Sequence, residues 1–159
     1  MAKFSLSNTM AGTPQAIAAA YKTLWDITAA TGATTLRRAF IYHVQFGAAD
    51  APAASDGPIV WKIDRQTTLG TRTAATPAPL DPVDAAALIT AGVNTTAEPT
   101  VTTATQLLEM PLNQRSTYQW IAKDGGELIV PATNTTGLGG RGKSAVYTGT
   151  ANAGVHFFE

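Results

Sequence analysis

From Leu112 to Lys123 the chain nearly alternates: Leu112, Gln114, Ser116, Tyr118, Trp120 and Ala122 on one side, Asn113, Arg115, Thr117, Gln119, Ile121 and Lys123 on the other. A period of two marks a strand with one buried and one wet face. Asp124-Gly125-Gly126 follows, and glycine supplies the positive φ that tight turns need. Glu127-Leu128-Ile129-Val130 is then a short, mostly apolar run closed by Pro131. The pattern predicts a β-hairpin over Leu112–Pro131. Tyr118 and Trp120 share a face, which predicts a place in the middle of a sheet.

The same reading extends along the chain. Lys3–Leu6 predicts a short strand or a loose arm within Met1–Gly12. Thr13-Pro14 has the form of a helix cap followed by proline at the first helical position. The alanine-rich Gln15–Tyr21 fits one or two helical turns, whereas Tyr21–Thr28 leans towards strand through Leu24, Trp25 and Ile27. A single helix over Pro14–Ala30 is the rival, and periodicity leaves both open. Leu36–Phe46 predicts a strand with Leu36, Phe40, Tyr42, Val44 and Phe46 on one face and Arg37, Ala39, Ile41, His43 and Gln45 on the other. Gly47–Gly57 predicts a loop, and Ile59–Arg65 a strand with Ile59, Trp61 and Ile63 inward. Thr67–Pro79 predicts a strand end running into an extended loop.

Asp81-Pro82-Val83-Asp84 predicts the start of a short helix, with Asp81 as cap and Gly92 as its end. Thr95–Thr105 predicts extended chain, and Gln106–Met110 a short strand. After Pro131 a Gly/Thr/Asn-rich loop is expected up to Gly142. Strands follow at Ser144–Tyr147 and Thr150–Phe158, the second with Val155 and Phe157 facing one way and His156 and Phe158 the other. About eight short strands separated by turn signals predict an all-β antiparallel sandwich or jelly roll with one short helix in a loop. Its expected extent is a single domain over 13–159, preceded by the arm or strand at 1–12.

Composition narrows the function classes. The 159 residues carry 11 basic and 11 acidic side chains, and only 14% are charged. No basic cluster exceeds Arg37-Arg38, so neither nucleic acid nor an anionic membrane is an expected partner. With no cysteine there is no disulfide and no thiolate chemistry. Met1-Ala2-Lys3-Phe4 has no apolar stretch behind it, so no secretory leader is expected. No apolar run approaches the ~20 residues that span a bilayer, and a soluble chain is expected.

Candidate chemistry is sparse. Gly137–Ser144, GLGGRGKS, matches the phosphate-binding G-x-x-x-x-G-K-[ST] pattern, which would put Lys143 on the β/γ-phosphates and Ser144 on magnesium. That motif needs a helix immediately after it, and Ala145–Thr150 is a better strand than helix, so a glycine-rich connection is expected instead. His43 and His156 have no third ligand at matching spacing, and no metal or cofactor is expected. The carboxylates form no fixed pair for glycoside hydrolysis, and no nucleophile motif occurs, so an enzyme is not expected. Asn94-Thr95-Thr96 and Asn134-Thr135-Thr136 match the glycosylation pattern but read as turns. Trp61 and Trp120 are expected in the core, while Trp25 is left between core and subunit contact.

Pro58–Ala87, Glu98–Thr100, Leu112–Thr133 and the terminal Val155–Glu159 together resemble a group of small tailed-phage and prophage virion proteins. The similarity runs over roughly Phe40–Glu159. The resemblance implies a jelly-roll capsid decoration, or cement, protein on the virion surface. It would be made in the host cytoplasm and bound to the major capsid protein as a homo-oligomer, with a trimer favoured. The alternative is a receptor- or glycan-binding module on a tail or head fibre. The matching blocks carry no catalytic residues.

Overall fold

The computed structural model describes residues 1–29, 36–50, 56–133 and 135–159. The expected helix end at Ala30, much of the Gly47–Gly57 loop and the turn at Asn134 lie partly or wholly outside them. The described residues form thirteen strands: β1 (Lys3–Ser7), β2 (Gln15–Ala16), β3 (Lys22–Thr28), β4 (Ala39–Ala48), β5 (Pro58–Thr68), β6 (Thr71–Ala75), β7 (Ala78–Pro79), β8 (Thr90–Ala97), β9 (Thr100–Asn113), β10 (Tyr118–Ile121), β11 (Leu128–Val130), β12 (Gly137–Lys143) and β13 (Thr150–Phe158). Sheet A runs β10-β4-β13-β1-β7, with β11 also on β4 and β2 on β13. Sheet B runs β6-β8-β3-β12-β5-β9. Every pairing is antiparallel. The chain is an all-β sandwich.

The core lies between the sheets. Phe4, Leu6, Ile41, Val44, Phe46, Val155 and Phe157 from sheet A meet Leu24, Trp25, Ile27, Ile59, Trp61, Ile63 and Leu138 from sheet B, all nearly inaccessible. Phe46 stacks on Trp61 with ring centres 5.1 Å apart. Full burial of such a side chain contributes about 1.5–3 kcal/mol relative to exposure. Trp61 occupies its expected place and Trp120 is half-buried against the core. Trp25, left undecided above, is fully buried. A bulge leaves Leu24 without an opposite in β12, so the consecutive Leu24 and Trp25 both join the core.

The stretch Leu112–Pro131 departs from the expected hairpin. Leu112 and Asn113 end β9 in sheet B, and the chain then crosses to sheet A, with Gln114 N–H bonded to the Gly57 carbonyl at 3.0 Å. Arg115 Nε donates to Asp56 at 2.5 Å across the same corner. β10 and β11 pair not with each other but successively along β4, Tyr118–Ile121 against Phe46–His43 and Leu128–Val130 against Ile41–Ala39. The Lys123–Gly126 turn, with Gly125 at φ 77°, lifts the chain off the edge and returns it to the same line. The element is one interrupted strand at the border of sheet A, not a central hairpin.

Further expectations are revised for local reasons. Gln15–Ala16 pairs with β13, and neither the one- or two-turn helix at Gln15–Tyr21 nor the longer one is formed over 14–29. Asp81 makes a turn, accepting the Val83 N–H on Oδ1 at 3.0 Å and the Asp84 N–H on its carbonyl at 3.0 Å, but no helix follows. The Leu88 and Ile89 N–H groups donate instead to the Glu159 carboxylate at 2.8 and 3.2 Å, which steers the chain into β8. The short helical turn is 3-10 and sits at Asn8–Ala11.

Gly137–Lys143, expected as loop, is a buried strand of sheet B, and Ser144–Tyr147, expected as strand, is irregular. The glycines of β12 answer a steric demand. A Cβ at Gly140 would overlap the Trp25 indole, and one at Gly142 would lie 2.6 Å from Trp61 Cζ3. Small residues here make room for the two largest core side chains.

β1 is an integral strand, with β13 on one side and β7 on the other. Buried Asn8 just after it ties the sheets together. Its Nδ2 donates to the Ala151 carbonyl at 2.9 Å, and its Oδ1 accepts the Ala153 N–H at 2.8 Å. Asn94 on β8, at φ 51°, donates back to the Asn8 carbonyl at 2.9 Å.

Candidate interaction surfaces

In β4 the register against β13 slips between His43 and Ile41, leaving Tyr42 with no opposite residue. The extra residue inverts which positions face outward. Ala39 and Ile41 face the core before it, and Val44 and Phe46 after it. Phe40, Tyr42 and His43 therefore share the outer face of sheet A, where a strict alternation would have put Phe40 and Tyr42 with the core.

Phe158 and His156 join them from β13, on the face opposite Val155 and Phe157 as expected. Phe40 and Phe158 are cross-strand neighbours with rings 5.0 Å apart and 13° from parallel. Tyr42 lies 6.1 Å from both His156 and Phe158, and His43 lies 4.8 Å from His156. Lys3 Nζ sits 5.7 Å from the centre of the Tyr42 ring. Ile121, opposite His43, and Ile129, opposite Phe40, extend the face and are 67% and 39% exposed. Among the described strand residues, Lys3 is the charged side chain that the register places on this face. Burial holds both imidazoles below the usual histidine range, His156 also through its neighbour His43. The outside of an antiparallel sheet is ordinarily polar; here the half around Phe40, Tyr42, His43, His156 and Phe158 is aromatic, and Ser7, Gln45, Gln119 and Asn152 occupy the other half.

The second surface is the loop between β7 and β8. Leu80, Val83 and Leu88 are 48%, 88% and 55% exposed. Leu80 lines a shallow depression together with Met1, Lys3, Asp81 and Asp84. The Asp81 turn and the Glu159 clamp fix this loop, so its apolar side chains are presented at defined positions.

The outer face of sheet B is charged and internally neutralised. Asp26 is fully buried and ion-paired with Arg72, whose stem lies across Gly92. Asp64 accepts from Arg141 Nε at 2.5 Å. The two carboxylates occupy one row, separated by Gly139, and each is committed to an arginine. Lys62 pairs with Glu109 at 3.0 Å. Burial pulls its pKa down, but hydrogen bonds and charge from Glu109 and Tyr21 outweigh this and hold it above the usual lysine value.

The phosphate-loop pattern dissolves into this sheet. The Gly137–Lys143 backbone pairs with β3 on one side and β5 on the other, which commits its N–H groups to the ladders. Lys143 Nζ lies over the Tyr21 ring at 4.6 Å. Ser144 donates to the Pro58 carbonyl at 2.8 Å and accepts from the Val146 and Tyr147 N–H groups.

His43 and His156 are brought together, but among the described residues no group of three or more His, Cys, Asp or Glu side chains is placed to hold a metal. Among them, too, no helix is long and apolar enough to cross a membrane. No protein-family model, curated protein or solved structure matches the chain.

Proposed function

We propose that this chain is a structural subunit of a tailed-phage particle, a capsid decoration protein that binds the major capsid protein lattice as a homo-oligomer and stabilises the head. The observation that carries this reading is the Leu80–Leu88 loop, a rigidly held apolar projection on a β-sandwich. Such a loop makes a small contact, and small contacts repeated over a symmetric shell sum to firm attachment. The residue-level resemblance supplies the virion setting and favours a trimer.

Cryo-electron microscopy of particles tests it. The chain is expected on the head lattice in a copy number following capsid symmetry, and Val83→Lys is expected to strip it from the head while leaving the fold intact. A copy number following the tail would overturn the assignment.

The aromatic face of sheet A favours a second reading, a glycan-binding fibre module. Sugars stack on open ring faces, whereas Phe40 and Phe158 stack on each other at the inter-strand spacing and turn their edges outward. That geometry suits protein side chains better than a pyranose ring.

A further inference from the structure

We propose that the outer face of sheet A is the surface through which two copies of this chain pair, face to face about a two-fold axis. The inference adds a two-fold contact to the trimer favoured in the preceding reading and takes only its setting from there.

Three features select a second copy as the occupant. The first is charge. The strands place one charged side chain, Lys3, among the described residues of the face, which gives little to steer or hold a strongly charged partner, and its aromatic half joins charge depletion to the aromatic enrichment that marks the centres of protein interfaces. Lys3 lies at a corner, on β1 and two residues from Ser5, which pairs with His156. A two-fold axis through the middle of the face and parallel to the strands lays aromatic half on aromatic half and keeps the two Lys3 amines about 10 Å or more apart. That is beyond the screening length of about 8 Å at physiological salt.

The second feature is repeat. Same-face side chains recur about every 6.8 Å along a strand and about every 4.8 Å across it, leaving furrows between the upright rings. A second copy has that repeat by construction, so its rows fill those furrows as sheets do when they stack about 10 Å apart.

The third is area. The four strand positions β10/β11, β4, β13 and β1 span about 19 Å, and about eight residues span about 27 Å. Each copy therefore contributes about 500 Å². The pair hides about 1,000 Å², the lower limit for a specific interface and the range of weak, reversible ones. A contact of that size is too weak to lock two copies together alone but works inside an assembly that already holds them near each other.

The His43–His156 pair makes the contact acid-labile. The groups facing it are Tyr42 from β4, Lys3 and Ser5 from β1 and Ile121 from β10. Asp81 and Asp84 lie beyond Lys3, outside the face. No carboxylate among the described residues faces the imidazoles, so their protonation would place uncompensated like charges inside the interface.

Sedimentation velocity of the whole chain, from about 1 μM to about 1 mM, tests the pairing. At about pH 7.5 the expected result is reversible association to a dimer, or to even multiples if another contact also acts, weakening as the pH is lowered below the unperturbed histidine value of about 6.5. Ile121→Lys and Gln119→Lys replace exposed side chains on the face and are each expected to raise the dissociation constant at least ~10-fold. Thr103→Lys on the far edge of sheet B is expected to change nothing.

Several results would overturn the proposal. They are a monomer throughout the range, an association indifferent to both face variants, or a trimer with no even-numbered species. Oligosaccharide binding that shifts the His43 and His156 resonances of a monomeric chain would do the same. A monomer that still decorates heads overturns this inference alone. An associating chain absent from heads overturns only the preceding reading.

Discussion

Three side chains test how this sandwich is held. Asn8 spends its amide on the Ala151 carbonyl and the Ala153 N–H at one end of β13. Asn8→Ala strands buried backbone groups and is expected to cost about 2 kcal/mol in urea denaturation. Arg72→Met leaves the Asp26 carboxylate buried without its partner. Loss of one member of such a pair costs about 3–5 kcal/mol, and converting Asp26 to Leu as well is expected to restore most of it. Gly140→Ala drives a methyl group into Trp25 and is expected to cost about 1–3 kcal/mol, through overpacking rather than a lost contact. None of the three effects is legible in the sequence. Asn8 and Arg72 look like surface residues in a polar neighbourhood, and Gly140 sits in what reads as a flexible loop.

At the scale of elements, sequence periodicity reports burial faithfully where a strand is regular. β5 and β13 match their expected faces because one residue opposes one residue throughout most of their inward-facing lengths. It fails where backbone geometry intervenes. The Tyr42 bulge inverts the phase of β4, so Phe40 and Tyr42, assigned with the core-facing set, belong to the outer surface. His156 and Phe158 carried the recoverable signal, since their alternation with Val155 and Phe157 was already visible and β4 pairs directly with them. β12 escapes notice because glycine is a poor strand former, and only the tryptophans of β3 and β5 explain its presence. The hairpin expectation fails for a different reason: a tight turn specifies that the chain deviates, not which strand it meets afterwards.

The paired histidines of β4 and β13 carry a pH prediction at the same scale. Their folded pKa values lie below the unfolded value of about 6.5, so below that pH the unfolded chain takes up protons that the folded one refuses. Stability is expected to be flat above about pH 6.5 and to fall as the pH drops through it, levelling off below the folded pKa values. His156→Gln is expected to reduce that slope by removing one proton site and its repulsion with His43, as measured by thermal melts across pH.

For the whole molecule, the all-β class and sandwich architecture were legible, because alternation, threonine content and frequent turns agree at every level. Which surface works was not, since that depends on how strands lie beside one another. The two surfaces are apolar for different reasons. Val83 and Leu88 project from a loop that two carboxylates hold, whereas Phe40, Tyr42 and Phe158 line a sheet whose phase a bulge resets. Val83→Lys and Ile121→Lys are expected to separate attachment from self-association, each weakening one and sparing the other.

The place of β13 sets the order in which the molecule can be made. It lies between β4 and β1 and is the last strand in the chain, with Lys3 paired to Phe158. A ribosome has therefore extruded almost every other strand before sheet A can close, and until then β1 and β4 each expose an unpaired edge. Such long-range pairing is slow, with folding times of milliseconds to seconds. Stopped-flow refolding monitored by tryptophan fluorescence is expected to show a slow closing phase. Chains stopped before Thr150 are expected to aggregate through those open edges.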